Sequence, residues 1–277
     1  MLGLPGCLVS FNDYPLGEPN AEQPKTLSGG ASGSGSGLPS AGTSSISAGT
    51  AATAGNGSSA GGTSTAGSDG GGEGGAADLT PTETNLVDDF QDTDAQIVEL
   101  QGRSGAWYVA NDGRGQQTPR AGVPLVPGLL MPARGTSTRG AHTFGGPFSS
   151  WGALVGTTFA SEGDQAIPYN LSDYAGLRVW VRSGSAAPGA ARSVRLNVRT
   201  PATVMGGGCT ICSDHFGADI PLTAQWVQVN VPFSSLAQIG YGRPVLTKPD
   251  LTQALGIEFL FPINVSFDFW LDDVELY

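Results

Sequence analysis

The feature that most restricts this chain is a two-residue alternation repeated in short bursts. In "SVRLNVRT" (193–200), Val194, Leu196 and Val198 point one way, and Arg195, Asn197 and Arg199 the other. Comparable β-branched and aromatic segments stand at 85–90, 106–112, 152–160, 176–183, 226–233, 255–261 and 267–277. Gly, Pro and Asn clusters separate them. No segment keeps a helical apolar period over three turns. Many short strands with turn signals predict an all-β fold, a sandwich or a barrel.

The first third has another texture. From Ser28 to Ala77 the chain is almost wholly Gly, Ser, Ala and Thr, and such a stretch buries too little apolar surface to offset the entropy of ordering it. Residues 1–84 are therefore expected as a disordered tether, the low-complexity part reaching roughly 35–45 Å. Residues 85–277 are expected as one folded domain, a length ample for a single core.

The net charge is −11, and from Asn85 onward there are 12 basic and 17 acidic residues, hence −5. No Lys/Arg cluster is present that would neutralise a phosphate backbone, so nucleic acid is not an expected partner. A monomer is expected.

The segment "GGGCTICSDHFG" (206–217) is the densest in chemistry. A Cys₂His₂ set from Cys209, Cys212, His215 and His142 is arithmetically available, but the spacing is not that of a zinc finger. A thioredoxin-type pair needs a helix N-terminus within a βαβ unit, and neither is present. In an exported protein a disulfide between Cys209 and Cys212 is the default, stiffening a Gly-rich loop. Asp214 and His215 ride on that loop, either bonding its backbone or recognising sugar hydroxyls.

Four segments resemble jelly-roll carbohydrate-binding modules. "LVDDFQDTD" (86–94) is similar to their opening strand, and "YNLSDYAGLRVWVRS" (169–183) to a polar turn and Tyr leading into a strand. "AQWVQVNVPFSSLAQ" (224–238) resembles their Trp-containing strand and Pro-Phe-Ser corner, and "FDFWLDDVELY" (267–277) their closing strand. The resemblance implies a galactose-binding-like jelly-roll β-sandwich of the kind found beside bacterial glycoside hydrolases. It also implies a polysaccharide or oligosaccharide as partner.

Sugar sites combine an aromatic face with planar polar side chains. The candidates here are Trp151 and Tyr241, among turn residues, and one of the consecutive pair Trp107 and Tyr108; Trp107 is taken as a candidate platform. Asp214, His215, Arg195 and Arg199 are candidate polar partners. Trp180, Trp226 and Trp270 lie in alternating strands and read as core. If the first and last strands pair, Asp88, Asp89, Asp92 and Asp94 approach Asp272 and Asp273. The resembled modules imply structural calcium there, with Asp89 and Asp273 as candidate ligands.

No pair of carboxylates carries a glycosidase signature and no Gly-x-Ser-x-Gly elbow occurs from Asn85 onward, so catalysis is not expected. Leu4-Pro5-Gly6-Cys7 resembles a bacterial lipobox, implying lipidation at Cys7 and display at the cell surface, with the outer membrane expected. Six residues precede Cys7, fewer than a signal peptide needs, so this reading places the translation start upstream of Met1. A surface interaction protein without sugar affinity and a cryptic hydrolase are the competing readings.

Overall fold

The computed structural model describes residues 85–185 and 187–277. Cys7 and the expected tether lie outside them. Fourteen strands follow in chain order. They are β1 (Leu86–Asp88), β2 (Trp107–Asn111), β3 (Gln117–Thr118), β4 (Gly128–Arg134), β5 (Ser137–Gly145), β6 (Ala153–Thr158) and β7 (Ala160–Glu162). After them come β8 (Gln165–Ile167), β9 (Gly176–Ser183), β10 (Ser193–Arg199), β11 (Phe216–Pro221), β12 (Val227–Pro232), β13 (Gly256–Phe261) and β14 (Phe267–Leu276). Among the described residues the only helical turns are 3₁₀ turns at Phe233–Ser235 and Leu251–Gln253. The fold is all-β, as the alternation predicts.

Two antiparallel sheets form the sandwich. A seven-stranded sheet runs β12-β9-β14-β5-β3, with β1 on β14 and β4 on β5. A five-stranded sheet runs β11-β10-β13-β6-β2, and β7 and β8 form a separate hairpin. First and last strands do pair: Leu86 lies opposite Glu275. Val179, Val181, Phe269 and Leu271 from one sheet and Val194, Leu196, Ile257 and Phe259 from the other share one core. A fully buried side chain of this size contributes about 1.5–3 kcal/mol, so the inner faces of the two sheets hold the domain together.

The three tryptophans expected in that core are not in it. Trp180, Trp226 and Trp270 are half-buried on the outer face of the seven-stranded sheet. The register puts His142 opposite Trp270 and Trp270 opposite Arg182, and Arg182 lies between the indoles of Trp226 and Trp270, 5.3 Å from each ring centre. The His142 and Trp270 rings are stacked, 3.8 Å apart and 9° from parallel. The result is a ring–guanidinium–ring–ring row across four strands, held by cross-strand pairing and cation–π attraction. The rings face one another across strands, so they turn their edges, not their faces, to solvent.

Arg134 extends this face, its guanidinium 4.6 Å from the Trp180 ring centre and ion-paired to both Asp272 and Asp273. Asp272 also accepts from the Ser137 hydroxyl at 2.7 Å.

Candidate polar site on the five-stranded sheet

Alternation in β10, β13, β6 and β2 sends one set of side chains into the core and the other to the outer face of the five-stranded sheet. One row on that face can be followed strand by strand. Tyr108 lies opposite Gly156, Gly156 opposite Glu258, Glu258 opposite Asn197, and Asn197 opposite Gly217. The glycines are required by their neighbours. A Cβ on Gly217 would sit 2.2 Å from the Asn197 amide oxygen, and one on Gly156 would sit 3.0 Å from the Tyr108 hydroxyl. Large polar side chains thus lie over small ones.

The row is tied together by polar contacts. Asn197 Nδ2 donates to Glu258 Oε1 at 3.1 Å, and Arg199 Nη1 donates to the Tyr108 hydroxyl at 3.1 Å. Arg199 Nε stands 4.0 Å from Glu258 Oε2, and His215 Nε2 stands 3.8 Å from Glu258 Oε1. Tyr108, Asn197, Arg199, His215 and Glu258 are all buried. Burial raises the Tyr108 hydroxyl's pKa and lowers that of Arg199. Burial also lowers His215 to about 4, against the pull of Glu258, so the imidazole is neutral at pH 7.

Formal charge in the cluster then cancels, Arg199 against Glu258. Three buried polar atoms around it, His215 Nε2, Asn197 Oδ1 and Thr200 Oγ1, have no hydrogen-bond partner among the described residues. Such atoms normally find a partner, in protein, water or ligand. Trp151, half-buried, packs beside this cluster against Tyr108, Ala110 and Leu154.

Two loops wall the cluster. Cys209 and Cys212 form the expected disulfide. Thr210 N donates to Arg243 O and Arg243 N to Ile211 O, which zips this loop to the one carrying Tyr241. The Tyr241 hydroxyl donates to the Ser213 carbonyl, and its ring remains half-exposed. Burial pushes that phenol up to about 12.

The expected site residues therefore divide. Arg199 and His215 meet in the cluster, with Trp151 beside it and Tyr241 on the neighbouring loop. Trp107 is corrected to the interior: it is 1% exposed, and its indole donates to Asp88 at 2.7 Å. Its partner in the pair, Tyr108, takes the outer face. Asp214 is corrected to a loop organiser, because its carboxylate accepts the backbone N–H of Ile239, Gly240 and Gly242 at 2.8–2.9 Å. Arg195 donates to the carbonyls of Gly217 and Ala237 and pairs with Asp219.

The expected calcium ligands do not assemble. The Asp89 carboxylate accepts from Gln91 N, and Asp273 is neutralised by Arg134. Among the described residues no group of three His, Cys, Asp or Glu is placed to hold a metal ion. The donor set does not fit calcium, since a guanidinium already supplies the positive charge.

Glu258 is not singled out as a binding residue by the sequence reading. A readable signal existed for Glu258, the one charge inside the apolar run "GIEFLF".

No family model and no curated protein matches the chain. Solved structures do resemble it. One is a family 11 carbohydrate-binding module of the cellulosomal cellulase Lic26A-Cel5E of Clostridium thermocellum, with 16% identity, 69% of this chain and 92% of that one covered, and a TM-score of 0.45. A second is the family 11 module from the same organism in complex with a β-1,3-1,4-mixed-linked tetrasaccharide, at 16% identity, 69% and 94% coverage, and TM-score 0.44. A third is a family 30 module of the cellulosomal cellulase Cel9D-Cel44B of Clostridium thermocellum, at 12% identity, 66% and 96% coverage, and TM-score 0.41.

Proposed function

We propose that this protein is a non-catalytic carbohydrate-binding module whose ligand engages the outer face of the five-stranded sheet. The observation that carries the reading is the two accessible rings beside the charge-balanced polar row, Trp151 packed against Tyr108 and Tyr241 half-exposed on the neighbouring loop. Such rings offer aromatic surface to a sugar. A row without net formal charge beneath them suits a neutral ligand. A single carboxylate, Glu258, belongs to the cluster, whereas glycoside hydrolysis requires two flanking the bond. Binding without turnover follows. Lipidation at Cys7, with residues 28–77 as spacer, is proposed as the means of display; loss of fatty-acid labelling in Cys7→Ser, expressed with its native upstream sequence, is the expected outcome.

The test is affinity electrophoresis of the full chain through gels containing mixed-linkage β-glucan, xyloglucan, xylan or galactan. Retardation by at least one is expected. Tyr241→Ala removes an accessible ring worth about 0.5–1.5 kcal/mol beyond its area burial, roughly 2- to 13-fold in affinity. Unchanged retardation in both Tyr241→Ala and Trp151→Ala would move the site elsewhere. No retardation on any glycan by the folded protein would leave a surface interaction role without sugar affinity.

A further inference from the structure

Trp151 and Tyr241 stand in different loops, yet their backbones are held in the same way. Asp112 directly follows β2, and its Oδ2 accepts the N–H groups on either side of Trp151, from Ser150 at 2.7 Å and Gly152 at 3.2 Å. Asp214 stands two residues before β11, and its Oδ2 accepts the N–H groups on either side of Tyr241, from Gly240 at 2.8 Å and Gly242 at 2.9 Å. The other oxygen of each carboxylate takes one more backbone N–H, from Arg114 at 2.9 Å and from Ile239 at 2.8 Å. Both aspartates are buried. Because β2 and β11 are the edge strands of the five-stranded sheet, one such clasp stands at each edge.

A carboxylate oxygen has two lone pairs, so it can hold two N–H groups at once, and each bond is charge-assisted. Two amides fixed to one buried atom fix the backbone dihedrals between them. The direction of the Cα–Cβ bond that carries the ring is fixed with them. Glycine permits the close approach: Gly152 and Gly240 have φ of +105° and +108°, and a Cβ on Gly242 would sit 2.5 Å from that of Asp214. Each ring then has a second hold. Trp151 packs against Tyr108, Ala110 and Leu154, and the Tyr241 hydroxyl donates to the Ser213 carbonyl.

We propose that Asp112 and Asp214 are positioning residues for ligand binding: each clasps the amides flanking one ring residue and so presents Trp151 or Tyr241 to the saccharide. A ring held in place before binding spares the ligand the cost of ordering its loop. The inference rests on the carbohydrate-binding reading for its ligand, but not for the clasps.

Amide hydrogen exchange of the full, ¹⁵N-labelled chain reads the clasps directly. Protection at Ser150, Gly152, Gly240 and Gly242 is expected in the wild type. Asp112→Ala is expected to lose it at 150 and 152 alone, and Asp214→Ala at 240 and 242 alone. Retardation by whichever glycan retards the wild type reads the role in binding. Asp214→Ala is expected to lose affinity by no more than the roughly 2- to 13-fold of Tyr241→Ala, and to add nothing when combined with it. Asp112→Ala is expected to behave likewise toward Trp151→Ala. A merely structural carboxylate would weaken binding equally with and without its ring, and that result overturns the proposal. So does either aspartate variant binding as the wild type does. Exchange of the four wild-type amides at the rate of an unfolded chain overturns it even if neither variant folds. The expected exchange pattern with no glycan bound by any form supports the clasps and removes the carbohydrate reading.

Discussion

Trp270→Ala separates the two outer faces of the sandwich. The indole is half-buried, stacked on His142 and flanked by the Arg182 guanidinium. A tryptophan buries up to about 250 Å², so half-burial removes roughly 100 Å² of apolar surface from water, about 2.5 kcal/mol at 25 cal/mol per Å². The stack and the cation–π contact add about 1 kcal/mol beyond area. Water fills the vacated space from the solvent side, so no closed cavity adds to the cost. The expected loss is about 3.5 kcal/mol, or about 7–14 °C in melting temperature for a domain of this size. Trp270→Phe, which keeps a ring between His142 and Arg182, should recover more than half of it. Thermal and urea melts of the full chain followed by tryptophan fluorescence are the assay. Binding to any glycan that retards the wild type should not change, because Trp270 belongs to the sheet opposite the polar row. A loss below about 1 kcal/mol would show that the row contributes nothing as a unit. Abolished glycan retention in a folded Trp270→Ala protein would mean that the ligand face had been assigned to the wrong sheet.

Reduction of Cys209–Cys212 should leave the far-ultraviolet circular dichroism unchanged, since closing so short a loop contributes only about 2 kcal/mol, while weakening glycan retention through the zipped loop that carries Tyr241. Chelation with EDTA should leave the melting temperature unchanged, because Arg134 already ion-pairs with both Asp272 and Asp273; a fall of several degrees would show a bound cation. Burial raises Asp88 to about 7 and both Asp272 and Glu275 to about 6, so these groups stabilise the fold most below pH 4 and lose that contribution as pH rises through 6–7. His215, lowered to about 4, acts in the other sense, its contribution being complete above about 6.5 and lost as pH falls to 4. Three acids against one histidine give a melting temperature that declines from about pH 4.5 to 7.5, and Glu275→Gln should flatten the decline; a curve rising over that range would refute the assignment.

The sandwich was legible because alternation is a local property, but alternation does not say which side is inside. Trp180, Trp226 and Trp270 read as core because they lie in alternating strands, although the decisive information stands next to them. Trp180 shares its side of β9 with Arg178 and Arg182, and Trp226 shares its side with Gln228 and Asn230. Trp270 shares its side of β14 with Asp268 and Asp272. In β9 and β14 the opposite side holds Leu, Val and Phe without a charge and is buried; in β12 it holds Val227, Val229 and Val231, of which Val231 is buried and the other two half-buried. The polar neighbours outweigh the apolar ring, because burying ions or unpaired amides costs more than half-exposing one indole loses. The polar row follows the same parity, with Arg195, Asn197 and Arg199 opposite Val194, Leu196 and Val198. Its assembly was not legible. Tyr108 and Glu258 are 150 positions apart and meet only because β6 lies between β2 and β13, a neighbour order that no local pattern encodes. Glu258 shows where the two levels join. A lone acid in an apolar strand must either face water or be met by partners from other strands, and its burial beside Asn197, Arg199 and His215 selects the second. An isolated charge in an otherwise apolar strand thus marks the position at which a sheet gathers its polar site, before the partners can be named.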